Sequence, residues 1–184
     1  RALEKIPGDY IVSNSASCVV AMKQDYLDLF KDDPQWLARA EAIGSRLLDF
    51  TTFLDQVARP PQGFPLLRAS SAEVTYHDSC QSHNCLGLKE QGRRLLRELA
   101  GIEVAEMYDS SVCCGFGGSF SVDHPEVSER VLRRKLRNVQ ETGAETVVTD
   151  NPGCILHLRG GLDAQRSQTT VLHLAELLAE SLGR

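Results

Sequence analysis

The sequence predicts an α/β fold with a mostly parallel sheet that is flanked by helices. Short segments rich in valine, isoleucine and threonine alternate with longer segments whose apolar residues recur at helical spacing. This alternation is typical of domains in which helices connect parallel strands. Small, polar or glycine-rich stretches follow the predicted strands, and cysteines lie in or just after them. Because ligand groups in such sheets gather beyond the carboxyl ends of the strands, we expect the functional loops at that edge.

The first third of the chain is predicted to hold one strand and several helices. A strand over residues 10–12 leads into a small, polar run, after which Cys18 opens a helix. Asp33 can cap a further helix, with Pro34 in its first turn. Since apolar residues recur at helical spacing throughout residues 36–50, we expect this helix to occupy that whole segment.

The rest of the chain repeats the order strand, loop and helix. A short helix after Thr51 ends at residues 60–63, a proline- and glycine-containing break that is the candidate linker. Strands are predicted at residues 73–77, 102–104, 145–149 and 170–172. Helices are predicted at residues 89–99, 123–143 and 174–182. Cys80 and Cys154 each lie just past a predicted strand, so both are expected at the same edge of the sheet.

Composition and charge narrow the possible functions. With 184 residues, of which 42% are hydrophobic and 24% charged, the chain can bury an ordinary globular core. A net charge of −5 gives no reason to expect nucleic acid or an anionic membrane as the main partner. The sequence shows neither a membrane-spanning apolar run nor an export signal. We therefore expect a soluble, cytoplasmic protein that could lie at the inner membrane only through partners.

Six cysteines in a chain without an export signal require an explanation. Disulfide frameworks belong to oxidising compartments and to domains too small to build a core, and neither condition applies here. Metal ligation and buried, inert thiols are the two interpretations that remain.

Residues 113–118, Cys-Cys-Gly-Phe-Gly-Gly, are the strongest functional signal. Adjacent cysteines are poorly spaced for one tetrahedral zinc ion, but neighbouring thiolates can reach different irons of a cluster. The glycines permit positive φ and close backbone approach, so that amide N–H groups can point at cluster sulfurs. Two buried, inert thiols in a glycine-rich turn are the alternative.

Taken with Cys80 and Cys154, this loop resembles the cysteine-rich CCG domain. That family includes the cysteine-rich subunit of heterodisulfide reductase, the glycolate oxidase iron–sulfur subunit and lactate utilisation protein A. The segments that carry the resemblance are residues 76–80, 113–122 and 171–178. The lactate utilisation protein A family is the most similar of these. It shares a small-residue stretch before a cysteine like Cys18, and segments like residues 33–36 and 49–53.

The resemblance implies two tandem CCG units. Residues 1–62 would be the tail of a first unit with connecting helices, and residues 63–184 a complete second unit. We therefore expect the chain to be a piece of a larger protein, which also fits a start without an initiator methionine.

The resemblance also implies an iron–sulfur electron-transfer component of a system that oxidises a hydroxy acid, with L-lactate and pyruvate as the expected pair. Expected partners are a ferredoxin-like iron–sulfur subunit and other lactate utilisation proteins. The chain would be a subunit of an oxidoreductase complex rather than a complete enzyme, since it lacks a dinucleotide-binding glycine fingerprint and a P-loop. A glycolate oxidase or heterodisulfide reductase type of subunit is one alternative. A non-redox zinc-binding or assembly module is another.

The ligand set implied by the resemblance has four cysteines and an iron–sulfur cluster of the [4Fe–4S] type. The four are Cys80, Cys113, Cys114 and Cys154. The family's final C-x-x-C is incomplete here, because His157 follows Cys154 three residues later. His157 is therefore an additional candidate ligand, and a helix histidine bonded to backbone is the alternative. Cys18 is a candidate ligand for the missing first unit, and Cys85 is predicted to be a bystander. No catalytic residue is assigned.

His77 and Asp78 precede Cys80 and are weaker candidates. They could orient or protonate a group at the cluster, although such a pair more often satisfies backbone groups at a strand end.

Overall fold

Two parallel sheets form the framework of the computed structural model, which describes residues 1–59 and 73–181. The strands are Ile11–Ser13 (β1), Leu47–Asp49 (β2), Val74–Tyr76 (β3), Thr146–Thr149 (β4) and Thr170–His173 (β5). β1 pairs with β2 in the smaller sheet, and the larger sheet has the order β3-β4-β5. All these pairs are parallel, and the predicted α/β class is confirmed.

Helices connect and cover the strands. They are Ala16–Val20 (α1), Tyr26–Phe30 (α2), Pro34–Arg46 (α3), Phe50–Thr52 (α4), Cys80–Cys85 (α5), Gln91–Ala100 (α6), Phe120–Asp123 (α7), Pro125–Glu141 (α8), Pro152–Ala164 (α9) and Leu174–Ser181 (α10). π-Helical turns follow α1 and α4. The predicted cap of α3 is confirmed, because the Asp33 carboxylate accepts hydrogen bonds from the Gln35 and Trp36 amides. The candidate linker at residues 60–63 lies outside the described residues.

The prediction of one helix over residues 36–50 was wrong at its end. α3 stops at Arg46, and Leu47–Asp49 forms β2, with Leu47 opposite Ile11 of β1. Leu47 is fully buried in an apolar cluster with Ile11 and Val19. Pairing with β2 satisfies backbone groups of β1 that would lack a partner if the helix continued, so the tertiary contact overrides the helical pattern.

The strand predicted at residues 102–104 is reduced to a single parallel bridge between Val104 and Val74. The next amide, Ala105, donates to the Val74 carbonyl at 2.8 Å, and the Thr75 hydroxyl donates to the Ala105 carbonyl at 2.7 Å. The segment therefore follows β3 briefly and then leaves the sheet toward the Cys-Cys-Gly loop.

The apolar core lies on both faces of the larger sheet. On one face α8 and α9 contribute Leu132, Leu136, Val139, Ile155, Leu158 and Leu162. On the other face α6 and α10 contribute Leu95, Leu96, Ala100, Leu174, Leu177 and Leu178. Cys114 and Cys154 belong to the first cluster, so this layer also forms one wall of the cysteine site. Within the described ranges, no helix combines the length and apolar character needed to cross a membrane.

Candidate metal centre

Cys80 and Cys154 lie at the same edge of the larger sheet, each in the first turn of a helix that follows a strand. Cys80 begins α5, which the Ser79 side chain caps. Cys154 lies in the first turn of α9, where the Asn151 side chain accepts a hydrogen bond from the Gly153 amide at 3.1 Å. Because β3 and β4 are adjacent and parallel, the two capped turns bring both cysteines to one place.

The Cys113–Cys114 pair lies in a loop that is held against α8. The Ser128 hydroxyl donates to the Gly115 carbonyl at 2.8 Å. Gly115 has a φ of +99°, and a Cβ at this position would lie 2.7 Å from the Ser128 carbonyl oxygen, so the turn requires glycine. The Gly115 amide donates to Cys113 Sγ at 3.3 Å, which places a backbone donor on one of the sulfurs.

The structure places the four predicted cysteine ligands in a row of side-chain contacts, although among the described residues only Cys114 and Cys154, together with His77, form a group of three potential ligand atoms within 4.8 Å of one another. The Cys113 side chain contacts those of Cys80 and Cys114. Cys114 also contacts Cys154. All four are free thiols, and Cys114 and Cys154 are buried whereas Cys80 and Cys113 are partly exposed. Solvent therefore reaches the group from the side of Cys80 and Cys113.

These contacts divide the group into two more acidic and two less acidic thiols. Side-chain hydrogen bonds with Cys114, the larger effect, and with Cys80 lower the pKa of Cys113. Contact with Cys114 also lowers the pKa of Cys154 to about 5, and His77 acts in the same direction. Contact with Cys113 raises the pKa of both Cys80 and Cys114. A metal ion or cluster that binds these thiolates would displace the shared protons.

His77 is a further member of the site that the sequence analysis did not assign as a ligand. One of its ring nitrogens, Cys114 Sγ and Cys154 Sγ all lie within 4.8 Å of one another. Nδ1 faces the Ser110 carbonyl oxygen at 3.1 Å, whereas Nε2 is buried without a hydrogen-bond partner among the described residues. A neutral ring that donates from Nδ1 to Ser110 keeps a lone pair on Nε2, which suits metal ligation. The position next to a strand-end cysteine was the signal that could have identified it.

Asp78 has a different role from its neighbour His77. Arg93 donates two hydrogen bonds to the Asp78 carboxylate, at 2.8 and 2.9 Å. Arg93 also donates to Glu106 at 2.7 Å. The carboxylate is therefore paired with an arginine and stabilises the loop that carries Cys80.

The sequence that forms this site also matches known proteins. The CCG cysteine-rich domain matches residues 74–159, a range that contains all four clustered cysteines. Lactate utilization protein A of Lysinibacillus sphaericus is 35% identical over 170 residues, which cover 92% of this chain and 73% of that protein. The Exiguobacterium protein of the same name is 35% identical over 185 residues, covering 99% and 73%. This chain belongs to the lactate utilization protein A family.

The Halalkalibacterium halodurans member is 34% identical over 170 residues, covering 92% of this chain and 68% of that protein. The resemblance that the sequence motifs indicated is confirmed. The donor set of this family member is also chemically consistent with an iron–sulfur cluster. Four cysteine side chains from three segments contact one another in a row. A backbone amide donates to one of the sulfurs, and a buried imidazole nitrogen lacks a partner among the described residues. Thiolates, with imidazole as the occasional substitute, are the ligands of such clusters.

His157 lies on α9 beside the Cys-Cys-Gly loop. Its Nε2 is 3.2 Å from the Ser128 hydroxyl oxygen, and its ring stacks at a tilt on Phe116 with centroids 5.8 Å apart. Since the Ser128 hydroxyl donates to Gly115, His157 Nε2 must carry the proton of this bond. The structure thus places His157 in support of the loop, and its role as a ligand stays a prediction.

Cys18 and Cys85 are both exposed, in contrast to the buried pair of the site. Cys85 ends α5 and Cys18 lies in α1, and these two helices pack against each other. Cys18 lies five residues after the end of β1, as Cys154 lies five residues after the end of β4. The two cysteines therefore occupy corresponding positions in two similar strand–loop–helix units.

Proposed function

We propose that this chain is an iron–sulfur electron-transfer component of a system that oxidises a small hydroxy acid, with L-lactate as the substrate and pyruvate as the product. The row of contacts among four cysteine side chains from three segments is the observation that carries the proposal. The substrate is inferred from the relatives, which are named lactate utilization protein A.

In this proposal the thiolates of Cys80, Cys113, Cys114 and Cys154 hold a cluster of the [4Fe–4S] type. When bound, the cluster supplies a site that accepts and releases single electrons. The Gly115 amide, which donates to Cys113 Sγ, withdraws charge from that sulfur. The apolar layer of α8 and α9 shields the inner side, while the exposed side at Cys80 and Cys113 faces a partner protein.

The two-electron step requires a further cofactor. Flavins and nicotinamides normally accept the hydride of a hydroxy acid, and this sequence has no glycine fingerprint for a dinucleotide. A partner that binds a flavin would therefore accept the electron pair of the hydroxy acid and pass the electrons on singly, and a ferredoxin-like iron–sulfur subunit and the cluster of this chain would carry those single electrons.

The proposal includes the tandem arrangement, with residues 1–62 as the end of a first unit and residues 63–184 as the second. The similar positions of Cys18 after β1 and Cys154 after β4 support it. Cys18 would then be a ligand in the site of the first unit.

A zinc-binding module is the second candidate. The compact set of His77, Cys114 and Cys154, within 4.8 Å of one another, favours it, because zinc binds imidazole and thiolate together. Under this proposal the bound metal is redox-inactive and the module acts in assembly.

Anaerobic purification followed by reconstitution distinguishes the two candidates. We expect about four irons and four sulfides per chain, with an EPR signal after reduction. The Cys114→Ser variant should lose this cluster, whereas Cys85→Ser, which changes an exposed thiol, should retain it. Stoichiometric zinc without sulfide would contradict the iron–sulfur proposal and support the zinc module.

The electron-transfer role is tested by activity. The reconstituted chain, assayed with L-lactate, D-lactate or glycolate and an artificial acceptor, should show no turnover by itself. Activity should appear with L-lactate when the partner lactate utilisation proteins are added, including the one that binds the hydride-accepting cofactor. Turnover by the isolated chain would overturn the electron-transfer role in favour of a catalytic one.

A further inference from the structure

Lys135 is a buried cation next to the cysteine site. It lies on α8, its side chain is 1% exposed, and it is among the largest fully buried side chains. Its ammonium group donates to the main-chain carbonyl oxygens of Asp109 at 2.5 Å and Ser110 at 3.1 Å. Within residues 1–59 and 73–181, no carboxylate forms an ion pair with it. A buried ammonium with only carbonyl partners is costly, so a nearby negative charge is expected to offset it.

Two cysteines of the site are among the groups that act on Lys135. Burial lowers the pKa of Lys135 to about 8, while Cys114, Asp109, Asp78 and Cys113, in that order, act to raise it. The two carboxylates in this set already have arginine partners, Arg134 for Asp109 and Arg93 for Asp78. Of the four groups, only Cys113 and Cys114 have no arginine partner among the described residues, so Lys135 is the cation available to their sulfurs.

Lys135 is also connected to the site through the backbone. The Ser110 carbonyl oxygen accepts from Lys135 and faces His77 Nδ1, the imidazole that lies beside Cys114. The Asp109 carbonyl accepts from both Lys135 and the Val112 amide, directly before Cys113. The lysine therefore holds the segment that enters the Cys-Cys-Gly loop, and its ammonium group shares the Ser110 carbonyl with the imidazole that lies beside Cys114.

We propose that Lys135 is the internal counter-ion of the cysteine site: it stabilises negative charge on the sulfurs of Cys113 and Cys114 and raises the reduction potential of the group they bind. The effect on potential rests on the proposed iron–sulfur function, whereas the effect on the thiolates does not. Lys135 is a positioning residue, since it acts through the sulfurs. A positive charge nearby favours the reduced cluster, which carries one more negative charge.

The first test is the midpoint potential of the reconstituted chain, measured by EPR-monitored redox titration. Lys135→Met should shift the reduction equilibrium about tenfold toward the oxidised form, which is about 59 mV for a one-electron couple. Lys135→Arg keeps the charge and should restore most of the potential. Asn138→Ala is the matched control, because Asn138 donates to the Tyr108 carbonyl from the next turn of α8 but carries no charge. An unchanged potential in Lys135→Met, or equal shifts in Lys135→Met and Asn138→Ala, would overturn the proposal.

The second test needs no cluster. In the metal-free chain the rate of Cys113 alkylation by iodoacetamide is compared with that of the exposed Cys18, by peptide mass mapping. Because the thiolate is the reactive form, Lys135→Met should slow Cys113 about fivefold relative to Cys18 at a pH near the midpoint of the wild-type rate–pH profile of Cys113. Asn138→Ala and Lys135→Arg should leave the relative rate of Cys113 alkylation unchanged. Lys135→Gln, which keeps an N–H donor without the charge, repeats the comparison if the methionine variant does not fold.

The midpoint potential and the alkylation rate together distinguish a failure of the iron–sulfur function from a failure of the counter-ion role of Lys135. A wild-type chain that binds no iron but shows slower Cys113 alkylation in Lys135→Met would contradict the iron–sulfur function and support the counter-ion. If the chain binds its cluster but alkylation rates and potentials are equal in wild type and Lys135→Met, the iron–sulfur function is supported and the counter-ion role of Lys135 is contradicted.

Discussion

The unit that carries Cys18 and the unit that carries Cys154 share a local arrangement but differ in their surroundings. In each, a strand is followed by a short polar turn and a helix that holds the cysteine, and a second parallel strand pairs with the first. Cys154 is buried in contact with Cys114, whereas Cys18 is exposed. Strand, turn and helix therefore place a cysteine at a sheet edge, and the Cys-Cys-Gly loop is what turns that position into a site.

The units also differ in how the turn is held. Asn151 caps α9 with its side chain and Pro152 occupies the first position of that helix. The Ser15 side chain makes no capping hydrogen bond at the start of α1, which has five residues before a π-helical turn. The firmer turn belongs to the unit whose cysteine lies in the group of four.

Replacing each of the two cysteines by serine tests the difference between the units most directly. We expect Cys154→Ser to abolish the cluster absorbance of the anaerobically reconstituted chain, because it removes a buried sulfur of the group. Cys18→Ser should retain it, since that thiol is exposed on α1. Iron and sulfide contents of the two variants, beside those of the wild type, give the measurement. Equal losses in both would show that the units contribute to one site.

Gly115→Ala tests the loop that distinguishes the second unit. The φ of +99° and the 2.7 Å approach to the Ser128 carbonyl should destabilise the metal-free chain by ~2–4 kcal/mol in urea unfolding. The variant should also bind less iron, since the turn places Cys113 and Cys114.

Gly118→Ala is the control for this change. Gly118 has a φ of +62°, and a Cβ added there would meet no atom within 4 Å beyond its chain neighbours. The loss should therefore be limited to about 1–2 kcal/mol for the left-handed backbone. A loss as large as that of Gly115→Ala would contradict the close-contact explanation.

The two units also differ in the residue directly after the strand, which is Asp150 after β4 and Asn14 after β1. Burial raises the pKa of Asp150 to about 6, and its Oδ1 has no hydrogen-bond partner among the described residues. A raised carboxyl pKa stabilises the fold below the unfolded value of about 4, and this contribution is lost as the pH rises through about 6. Asp150→Asn should therefore raise the free energy of unfolding by ~1–3 kcal/mol at pH 7.5 relative to its effect at pH 4.

Urea unfolding of the metal-free wild type and Asp150→Asn at the two pH values gives this difference. Asp163→Asn, which changes an exposed carboxyl on α9, is the control and should show no pH-dependent gain. The same difference at both pH values for Asp150→Asn would contradict the assignment.

The smallest expected effects come from the helix caps. Asp33→Ala and Asn151→Ala each remove a side-chain acceptor at a helix start and should cost about 1 kcal/mol in unfolding. Only Asn151→Ala should also weaken cluster retention on exposure to a chelator, since its cap precedes Cys154. Equal cluster retention in the two variants would show that the cap does not position Cys154.

Local sequence signals determined the α/β class, the Asp33 cap and the placement of Cys80 and Cys154 beyond β3 and β4. These features depend on neighbours along the chain: strand propensity, capping residues and the turn that follows a strand. The Cys-Cys-Gly loop was likewise recognisable, because glycine directly after two cysteines indicates a turn with positive φ, and Gly115 adopts such a φ.

Only the tertiary structure decided the features that depend on distant neighbours. The segment that became β2 has helical periodicity, and pairing with β1 across 36 positions of sequence overrides it. Lys135 carries no signal in the sequence and His77 only a weak one, and the two join the site because β3 and α8 bring them beside Cys114. A buried charge or imidazole acquires its role from what surrounds it, and local sequence carries little information about which parts of the chain will surround it.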